Sequence, residues 1–317
     1  MENLSFKRST PLTAGILLAV YFFRPPGDIL YYLANFAAVI MIGLVYFSLG
    51  FRIMKMLGME YEKTAAYPAA FGISFVVLGT LTFLAGILGM YGFFYPFFAA
   101  VAIMLICKRE LLAIIEDMKK VFCCWDIYGK TAGQKVFSLF LFVPVVYAAL
   151  CVIAPETYYD ALVYHLGIPF RYMQEGRIID VDGIVFSGFP QLASMNYLFV
   201  LLLSYELAVK LFNLAAAVMA VMIIAVSAKN AGGSARVSVL AAVTSVLFVL
   251  NVSRAGTEVF LILFAGLCLY HLIFSDRQKH SLYIACFFGG AAFAVKYTGI
   301  IIYVFAGLVV LFYVIKG

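Results

Sequence analysis

Long apolar segments separated by short polar stretches run through most of the sequence. The apolar residues do not alternate with polar ones at a period of two, so they predict helices rather than the strands of a transmembrane barrel. A helix crosses a bilayer with about 20 apolar residues. Most of these segments approach that length. The apolar segments are 11–23, 29–51, 66–88, 90–107, 136–154, 190–204, 206–227, 237–252, 257–274, 281–295 and 298–315.

Composition strengthens this membrane prediction. The chain is 65% hydrophobic and only 12% charged, and its mean hydropathy is +1.05. Soluble domains carry about a quarter charged residues. In lipid every backbone polar group needs an internal partner, a demand that helices meet. We therefore predict an all-α, polytopic transmembrane protein with 9 to 11 apolar segments; segments 11–23 and 190–204 are short for full spans.

The net charge of +6 sits in short basic clusters between apolar segments. That distribution is typical of cytoplasmic loops of membrane proteins and does not suggest nucleic-acid binding. Residues 108–135 contain six basic and four acidic residues, whereas 155–190 contain two basic and five acidic. Because segment 136–154 separates them, the two loops lie on opposite sides. The excess of Lys and Arg places 108–135 in the cytoplasm and 155–190 outside.

The later basic clusters constrain the number of crossings. Lys229 and Arg236 fit the cytoplasmic side only if residues 190–227 cross the membrane once. We therefore predict that 190–204 is a half-embedded helix. The chain then divides into N-terminal spans with the basic loop, 1–135, and a second module, 136–317, that carries the outer loop.

This topology brings three distant ionisable residues to the same face of the membrane. Asp160 lies in the outer loop, Glu258 begins one apolar segment and Lys296 lies between the last two. A lysine within such apolar sequence is costly and indicates a functional site, although a lysine snorkelling at the end of a span is the alternative. Small residues precede Lys296 and allow close helix packing, and a cation in a tight pocket suits a phosphate.

The stretch around Asp160 holds the most informative polar residues. If it is helical, Asp160 and Tyr164 share a face, and His165 follows directly. A carboxylate and an imidazole at a membrane boundary can act as a general base and its partner. Two simpler interpretations stay open: Asp160 caps a surface helix, and His165 is a buried structural histidine. The loop is also rich in aromatic residues, which predicts an amphipathic helix at the interface.

Three arginine and acidic positions complete the candidate site. Arg171 can bind phosphate and can equally be a solvated loop residue. Arg254 and Glu258 are spaced as neighbours on a helix, and they form either an interfacial ion pair or part of the site around Asp160. The cysteines and histidines show no metal-ligand spacing. No metal is required by the sequence, and a divalent cation stays open as a cofactor.

Residues 159–166, followed by Phe189-Pro190-Gln191, resemble the first outer loop of GT-C membrane glycosyltransferases. The nearest group comprises the bacterial and archaeal enzymes related to dolichyl-phosphate-mannose protein mannosyltransferases and to the lipid A aminoarabinose transferase. Two further stretches, Arg254…Glu258 and Lys296-Tyr297-Thr298-Gly299, match family landmarks in the same order. The resemblance covers about residues 136–315. Members of the family usually continue beyond this point, so a fragment and a short variant are both open.

The resemblance implies a cell-membrane enzyme that takes a hexose or pentose from a polyprenyl-phosphate donor. It passes the sugar to an acceptor, which the sequence does not identify, on the outer face. The first-loop aspartate of the family corresponds to Asp160, the general base, and the second acidic position, usually Asp, is Glu258 here. His165 joins these as a candidate catalytic residue. Tyr164, Arg171, Arg254 and Lys296 are the candidate substrate-binding residues.

Two other classes of protein remain as alternatives. A transporter or flippase of a lipid-linked substrate would also place charges and aromatic residues in membrane loops. Such transporters often contain an internal repeat, and none is visible in the sequence. A catalytically inactive membrane scaffold is the third interpretation. Activity on polyprenyl-phosphate sugars that disappears in Asp160→Asn would separate the enzyme from both.

Overall fold

The computed structural model describes residues 29–92, 94–123, 132–181, 183–274 and 279–316, and within them the secondary structure is entirely helical. The all-α prediction is therefore confirmed for this part of the chain, while the predicted segment 11–23 lies outside it. The α-helices are α1 (Ile29–Met56), α2 (Lys63–Ile87), α3 (Phe94–Ile106), α4 (Lys108–Cys123), α5 (Ala132–Ile153), α6 (Gly167–Glu175), α7 (Leu192–Leu201), α8 (Glu206–Asn230), α9 (Ala235–Thr244), α10 (Val246–Val252), α11 (Glu258–Ile273), α12 (Lys279–Val295) and α13 (Ile300–Lys316).

Three of the described helices, α1, α2 and α8, are long and apolar enough to span a membrane. They contain 28, 25 and 25 residues, which corresponds to roughly 38–42 Å at about 1.5 Å per residue. The pair α9 and α10 passes the same test together but is bent by 72°. Apart from α5, the other apolar helices in the described residues have 10–17 residues, fewer than the about 20 of a typical span.

The helices run between two opposite ends of the molecule. At the first, which we call the loop end, the start of α1 lies beside the start of α8, because Ala208 N donates to Asn35 Oδ1 at 3.1 Å. The end of α2 lies there too, since Ile178 N donates to the carbonyl of Gly86 at 3.1 Å. The acidic loop 155–190 therefore covers this end.

The other termini of the same helices lie at the opposite end. We call it the cavity end, because a cavity of about 780 Å³ opens there. Lys229 at the end of α8 pairs with Glu62 before α2 at 2.8 Å. Arg52 near the end of α1 pairs with Glu110 in α4 at 3.4 Å. The acidic loop 155–190 and the basic stretch at Lys229 thus lie at opposite ends of the molecule, the relative arrangement that the loop charges predict.

Helix α7 reaches the middle of the molecule without crossing it. Its ten residues span about 15 Å, half the thickness of a bilayer core. Asn196 accepts from Tyr46 OH at 2.6 Å and donates to the carbonyl of Phe75 at 3.1 Å, both in the interior of α1 and α2. Ser204, just after the helix, donates to Asn35 at the loop end. The helix has the half length predicted for 190–204, and its side chains are buried within the protein.

Two features of the fold differ from the sequence interpretation. Residues Lys108–Cys123 of the basic loop form an amphipathic helix, α4, that packs along α1. The predicted single segment 237–252 is two helices, with Ser245 in extended conformation at the break. No proline or glycine lies between residues 235 and 252 to signal that break.

Candidate functional site

Three chain segments meet at the loop end and carry most of the predicted site residues. They are the stretch 156–165, the turn 254–258 before α11, and the turn 296–299 between α12 and α13. Helices α11 and α12 are antiparallel neighbours, so the start of one and the end of the other lie side by side. Asp160, Glu258 and Lys296 are thereby brought into one cluster.

Asp160 directly precedes a single helical turn, and its side chain is the first carboxylate of the cluster. Residues Ala161–His165 form one turn of π-helix, closed by the 2.7 Å bond from Leu166 N to the carbonyl of Ala161. The Asp160 side chain makes no capping hydrogen bond to this turn, so the interpretation of Asp160 as a simple helix cap is not supported. Its Oδ2 instead accepts a 2.9 Å hydrogen bond from the hydroxyl of Tyr158. Single π-turns of this kind are frequent at functional sites.

Two tyrosines hold the Asp160 carboxylate. Burial, followed by the hydrogen bond to Asp160, raises the pKa of Tyr158 to about 12. Burial and a hydrogen bond to Asp160 likewise raise the pKa of Tyr164. Both phenols therefore stay protonated at neutral pH and act as donors to the carboxylate. The shared face predicted for Asp160 and Tyr164 is present.

Glu258 and Lys296 form a short ion pair across α11 and α12. The Lys296 Nζ donates to Glu258 Oε1 at 2.6 Å, and the two side chains are 32% and 26% exposed. Thr257 N donates to the other carboxylate oxygen at 3.0 Å. Lys296 thus points to a partner inside the protein rather than to a lipid interface. An ammonium has three donors, so two remain for a further ligand.

His165 is buried beside this pair. Its ring lies 4.3 Å from the ring of Tyr164, centroid to centroid. Burial lowers the pKa of His165 to about 4; the charge of Glu258 raises this pKa and that of Lys296 lowers it, both by less than burial does. The imidazole is therefore neutral at pH 7, and can accept or donate one hydrogen bond without adding a third charge.

Arg254 joins the cluster from the turn 254–258. Its guanidinium carbon lies 4.4 Å from the ring centroid of Tyr158, a cation–π arrangement. The buried Asn213 fixes the Arg254 backbone, because its side-chain amide donates to the Arg254 carbonyl at 2.7 Å. Arg254 and Glu258 are therefore both part of the cluster, but Glu258 pairs with Lys296.

Glu156 is a functional-site residue that the sequence analysis missed. Its Oε1 accepts from the backbone of Thr157 and of Tyr158, each at 2.9 Å. Its Oε2 accepts from Ala255 N at 2.7 Å, 99 residues away. One buried carboxylate therefore joins the segment that carries Asp160 to the turn that carries Arg254. Only its acidic character in a loop was visible in the sequence.

A line of aromatic rings forms one side of the site. Tyr164 stacks on Phe186 at 4.5 Å, Phe186 contacts Phe189 at 5.3 Å, and Phe189 contacts Tyr297 at 5.5 Å between centroids. The line of rings runs from Tyr164, which precedes His165 in the chain, to Tyr297, which follows Lys296. Because Phe186, Phe189 and Tyr297 are partly exposed, the rings offer an apolar surface beside the charged cluster.

Arg171 is not part of this cluster. Its side chain is exposed on α6, next in the chain to the buried Tyr172. The described residues contain no group of three or more His, Cys, Asp or Glu side chains placed to hold a metal ion. The arrangement can supply a carboxylate base and two cations for an anionic group.

Comparisons of the chain with protein-family models, with curated proteins and with solved structures found no match.

Proposed function

We propose that this protein is a membrane glycosyltransferase that transfers a sugar from a polyprenyl-phosphate donor to an acceptor on the outer face of the membrane. The observation that carries the proposal is the convergence of Asp160, Glu258 and Lys296 from three distant segments at one end of a set of apolar helices. The proposal also draws on the resemblance of residues 159–166 and 296–299 to the GT-C enzymes.

The transfer needs one base and one site for the leaving phosphate. The acceptor hydroxyl oxygen bonds to the anomeric carbon on the face opposite the phosphate. As it does so, the bond from that carbon to the phosphate oxygen breaks, and its electron pair leaves with the polyprenyl phosphate. Asp160 takes the acceptor proton. Tyr158 donates to Asp160 Oδ2 and keeps the carboxylate oriented during the transfer.

Lys296 and Arg254 are the cations for the donor phosphate. Charge on the phosphate oxygen grows as the sugar departs, and a fixed cation lowers the energy of that state. Glu258 orients the Lys296 ammonium through the 2.6 Å ion pair, while the remaining two N–H groups face a ligand. Only one carboxylate near the anomeric carbon is required, in contrast to a retaining glycosidase.

The proposal is tested by Asp160→Asn in purified protein reconstituted in liposomes with a panel of polyprenyl-phosphate sugars. The amide keeps the shape and hydrogen bonding of the side chain but removes the proton acceptor. Turnover should fall by about 10²- to 10⁴-fold, with donor binding nearly unchanged. Asp180→Asn is the matched control, because Asp180 lies in the same loop, exposed and outside the cluster, and it should keep full activity.

A transporter of a lipid-linked substrate is the second candidate, and one observation favours it. Helices α9 and α10 are bent by 72° at their junction, and α7 is only half the length of a span. Transporters build substrate sites from such discontinuous helices. Movement of an intact lipid-linked sugar across the liposome membrane, with no transfer and no effect of Asp160→Asn, would favour this candidate over the enzyme.

A further inference from the structure

Lys210 is a buried lysine in the second turn of α8. It is only 2% exposed, although α8 is a candidate membrane span. In the part of the chain that the structure describes, no other lysine or arginine is buried. An ammonium removed from water inside such a helix is costly, so its presence indicates a role that offsets the cost.

The Lys210 ammonium holds the end of α5. Its Nζ donates to the carbonyl of Ala154 at 2.6 Å and to that of Cys151 at 3.1 Å. The last carbonyls of a helix have no partner within it, and a cation there also offsets the negative end of the helix dipole. Pro155 follows and has no N–H with which to continue the helix. Lys210 therefore fixes the point at which the chain leaves α5 and enters the acidic loop.

A second contact from α8 holds the start of that loop. Glu206 lies one turn before Lys210, and its Oε1 accepts a hydrogen bond from Glu156 N at 2.8 Å. Glu156 in turn accepts from the next two backbone N–H groups, and Tyr158 donates to Asp160. The path from the end of α5 to the proposed base is thus tied to α8 at two points and stiffened beyond them by the Glu156 carboxylate.

The same face of α8 also holds the segment that carries Arg254. Asn213 lies three residues after Lys210, a spacing that puts both side chains on one face of the helix. Its side-chain amide donates to the carbonyl of Asn251 at 3.0 Å and to that of Arg254 at 2.7 Å. One helix therefore sets the position of the segment with the base relative to the segment with the cation.

We propose that Lys210 is a positioning residue: by holding the carbonyls of Cys151 and Ala154, it places Asp160 for removal of the acceptor proton. Lys210 is buried and acts on the reaction only through the loop. The alternative is a residue that stabilises the fold alone, in which case every folded molecule without it would stay fully active. The kinetic consequence rests on the transferase activity proposed above, whereas the structural consequence can be measured without any substrate.

The first measurement is backbone hydrogen exchange in purified Lys210→Met and in the unmodified protein. Methionine keeps an apolar side chain of similar length but cannot donate to a carbonyl. Exchange in residues 156–165 should become about tenfold faster, because their attachment to α8 is weakened. The second half of the loop, residues 176–189, should exchange as before. Unchanged exchange in 156–165, or an equal increase in both halves, would overturn the proposal.

The second measurement is the release of polyprenyl phosphate in a single turnover of bound donor. The donor is the polyprenyl-phosphate sugar that the unmodified protein turns over in the panel described above. A displacement of about 1 Å costs up to about 10²-fold in rate, so the rate constant of Lys210→Met should fall by about 10- to 100-fold at the same amplitude.

The amplitude separates positioning from stability. A lower amplitude with an unchanged rate constant would mean that fewer molecules are folded, and it would overturn the proposal. If the unmodified protein turns over no polyprenyl-phosphate sugar, the proposed function is wrong, and the exchange measurement still decides whether Lys210 positions the loop.

Two further variants complete the experiment. Lys210→Gln keeps an N–H donor without the charge, so it should show both changes at a smaller size. It decides the proposal if Lys210→Met does not fold, because unchanged exchange and rate in Lys210→Gln would overturn it. Lys229→Met is the matched control, since Lys229 is an exposed lysine at the other end of α8, and it should change neither measurement. If it altered residues 156–165 as Lys210→Met does, the effect would not be specific to Lys210, and the proposal would be wrong.

Discussion

The two ends of the molecule hold their charged residues in different ways. At the cavity end, Lys63 and Lys229 pair with acids while remaining 72% and 63% exposed; among the described pairs there, only Arg52–Glu110 has a buried carboxylate, 8% exposed. At the loop end, Lys296 and Glu258 are 32% and 26% exposed and lie beside a buried histidine. Exposed pairs contribute about 0–1 kcal/mol, whereas partly buried charges carry a desolvation penalty.

This difference indicates what each set of charges is for. Pairs such as Lys63–Asp117 hold helix ends together in water and could be exchanged for other polar contacts at little energetic cost. A carboxylate, an ion pair and a neutral imidazole that share one half-buried cluster are unfavourable for stability alone. Clusters of this kind occur at functional sites, and the contrast supports assigning the chemistry to the loop end.

After Asp160→Asn, the largest effect is expected for Lys296→Met. The change removes the cation for the donor phosphate and leaves Glu258 without its 2.6 Å partner. Donor use should fall by about 10²-fold or more, the typical result of losing one charge-stabilising donor. Donor dependence of transfer in liposomes measures it. Lys296→Arg should keep part of the activity, because the charge remains while the geometry changes. If both variants were as active as the unmodified protein, Lys296 would not bind the donor phosphate and would have a structural role only.

The pH dependence of stability gives the next prediction. The pKa of His165 is lowered from 6.5 to about 4 by burial, so the unfolded chain binds this proton more readily than the folded protein. The stabilisation is complete above pH 6.5 and is lost as the pH falls through this window to about 4. The loss amounts to about 3 kcal/mol.

Melting temperatures measured from pH 7 to pH 4 test this prediction for the unmodified protein and for His165→Gln. The variant lacks the titrating group, so its stability should fall less over this range. Parallel curves for the two proteins would show that His165 does not titrate as its burial implies.

Glu156→Gln should have a smaller effect, about 2 kcal/mol of unfolding free energy. The carboxylate accepts three backbone hydrogen bonds, one of them from Ala255. An amide offers a single acceptor oxygen, so a buried N–H loses its partner. Thermal unfolding measures the cost, and transfer activity should fall with it because the two loops are no longer joined. Glu175→Gln, an exposed acid on α6, should change neither property.

The smallest effect is expected for Lys63→Ala at the cavity end. Its ion pair with Asp117 is 3.1 Å long, but the lysine side chain is 72% exposed. The loss should be about 0.5 kcal/mol, and transfer activity should be unchanged. If Lys63→Ala lowered the free energy of unfolding as much as Glu156→Gln does, the exposed ion pair would stabilise the fold as strongly as the buried carboxylate. The contrast between the two ends would then be wrong.

The convergence of Asp160, Glu258 and Lys296 could be predicted because loop charge and segment length constrain which helix ends lie together. The half-length helix at 190–204 was predicted from the same count of membrane crossings. The sequence also places Asp160 and Tyr164 on one face, since helical spacing depends only on nearby residues. These features follow from local pattern and from counting crossings.

Other features depend on contacts that leave no local pattern. Glu156 acts through the backbone of Ala255, 99 residues away, and any residue can supply a backbone N–H. Helix α4 was not predicted, because its many charged residues are typical of a loop, although its apolar side packs on α1. The break at Ser245 has no glycine or proline to mark it. Only the folded arrangement reveals these three.

Helix α7 has a consequence for the order in which the protein is assembled. Nine of its ten residues, Ala193–Leu201, are buried inside the protein, and a helix of this length is too short to be inserted as an independent span. It has to dock into a gap whose walls are α1, α2 and α8, which are candidate membrane spans. Insertion of the long helices therefore precedes completion of the loop end, since the chain enters α7 directly from the loop that carries Asp160. A defect in packing α7 would leave a protein that is fully inserted and yet lacks an assembled site.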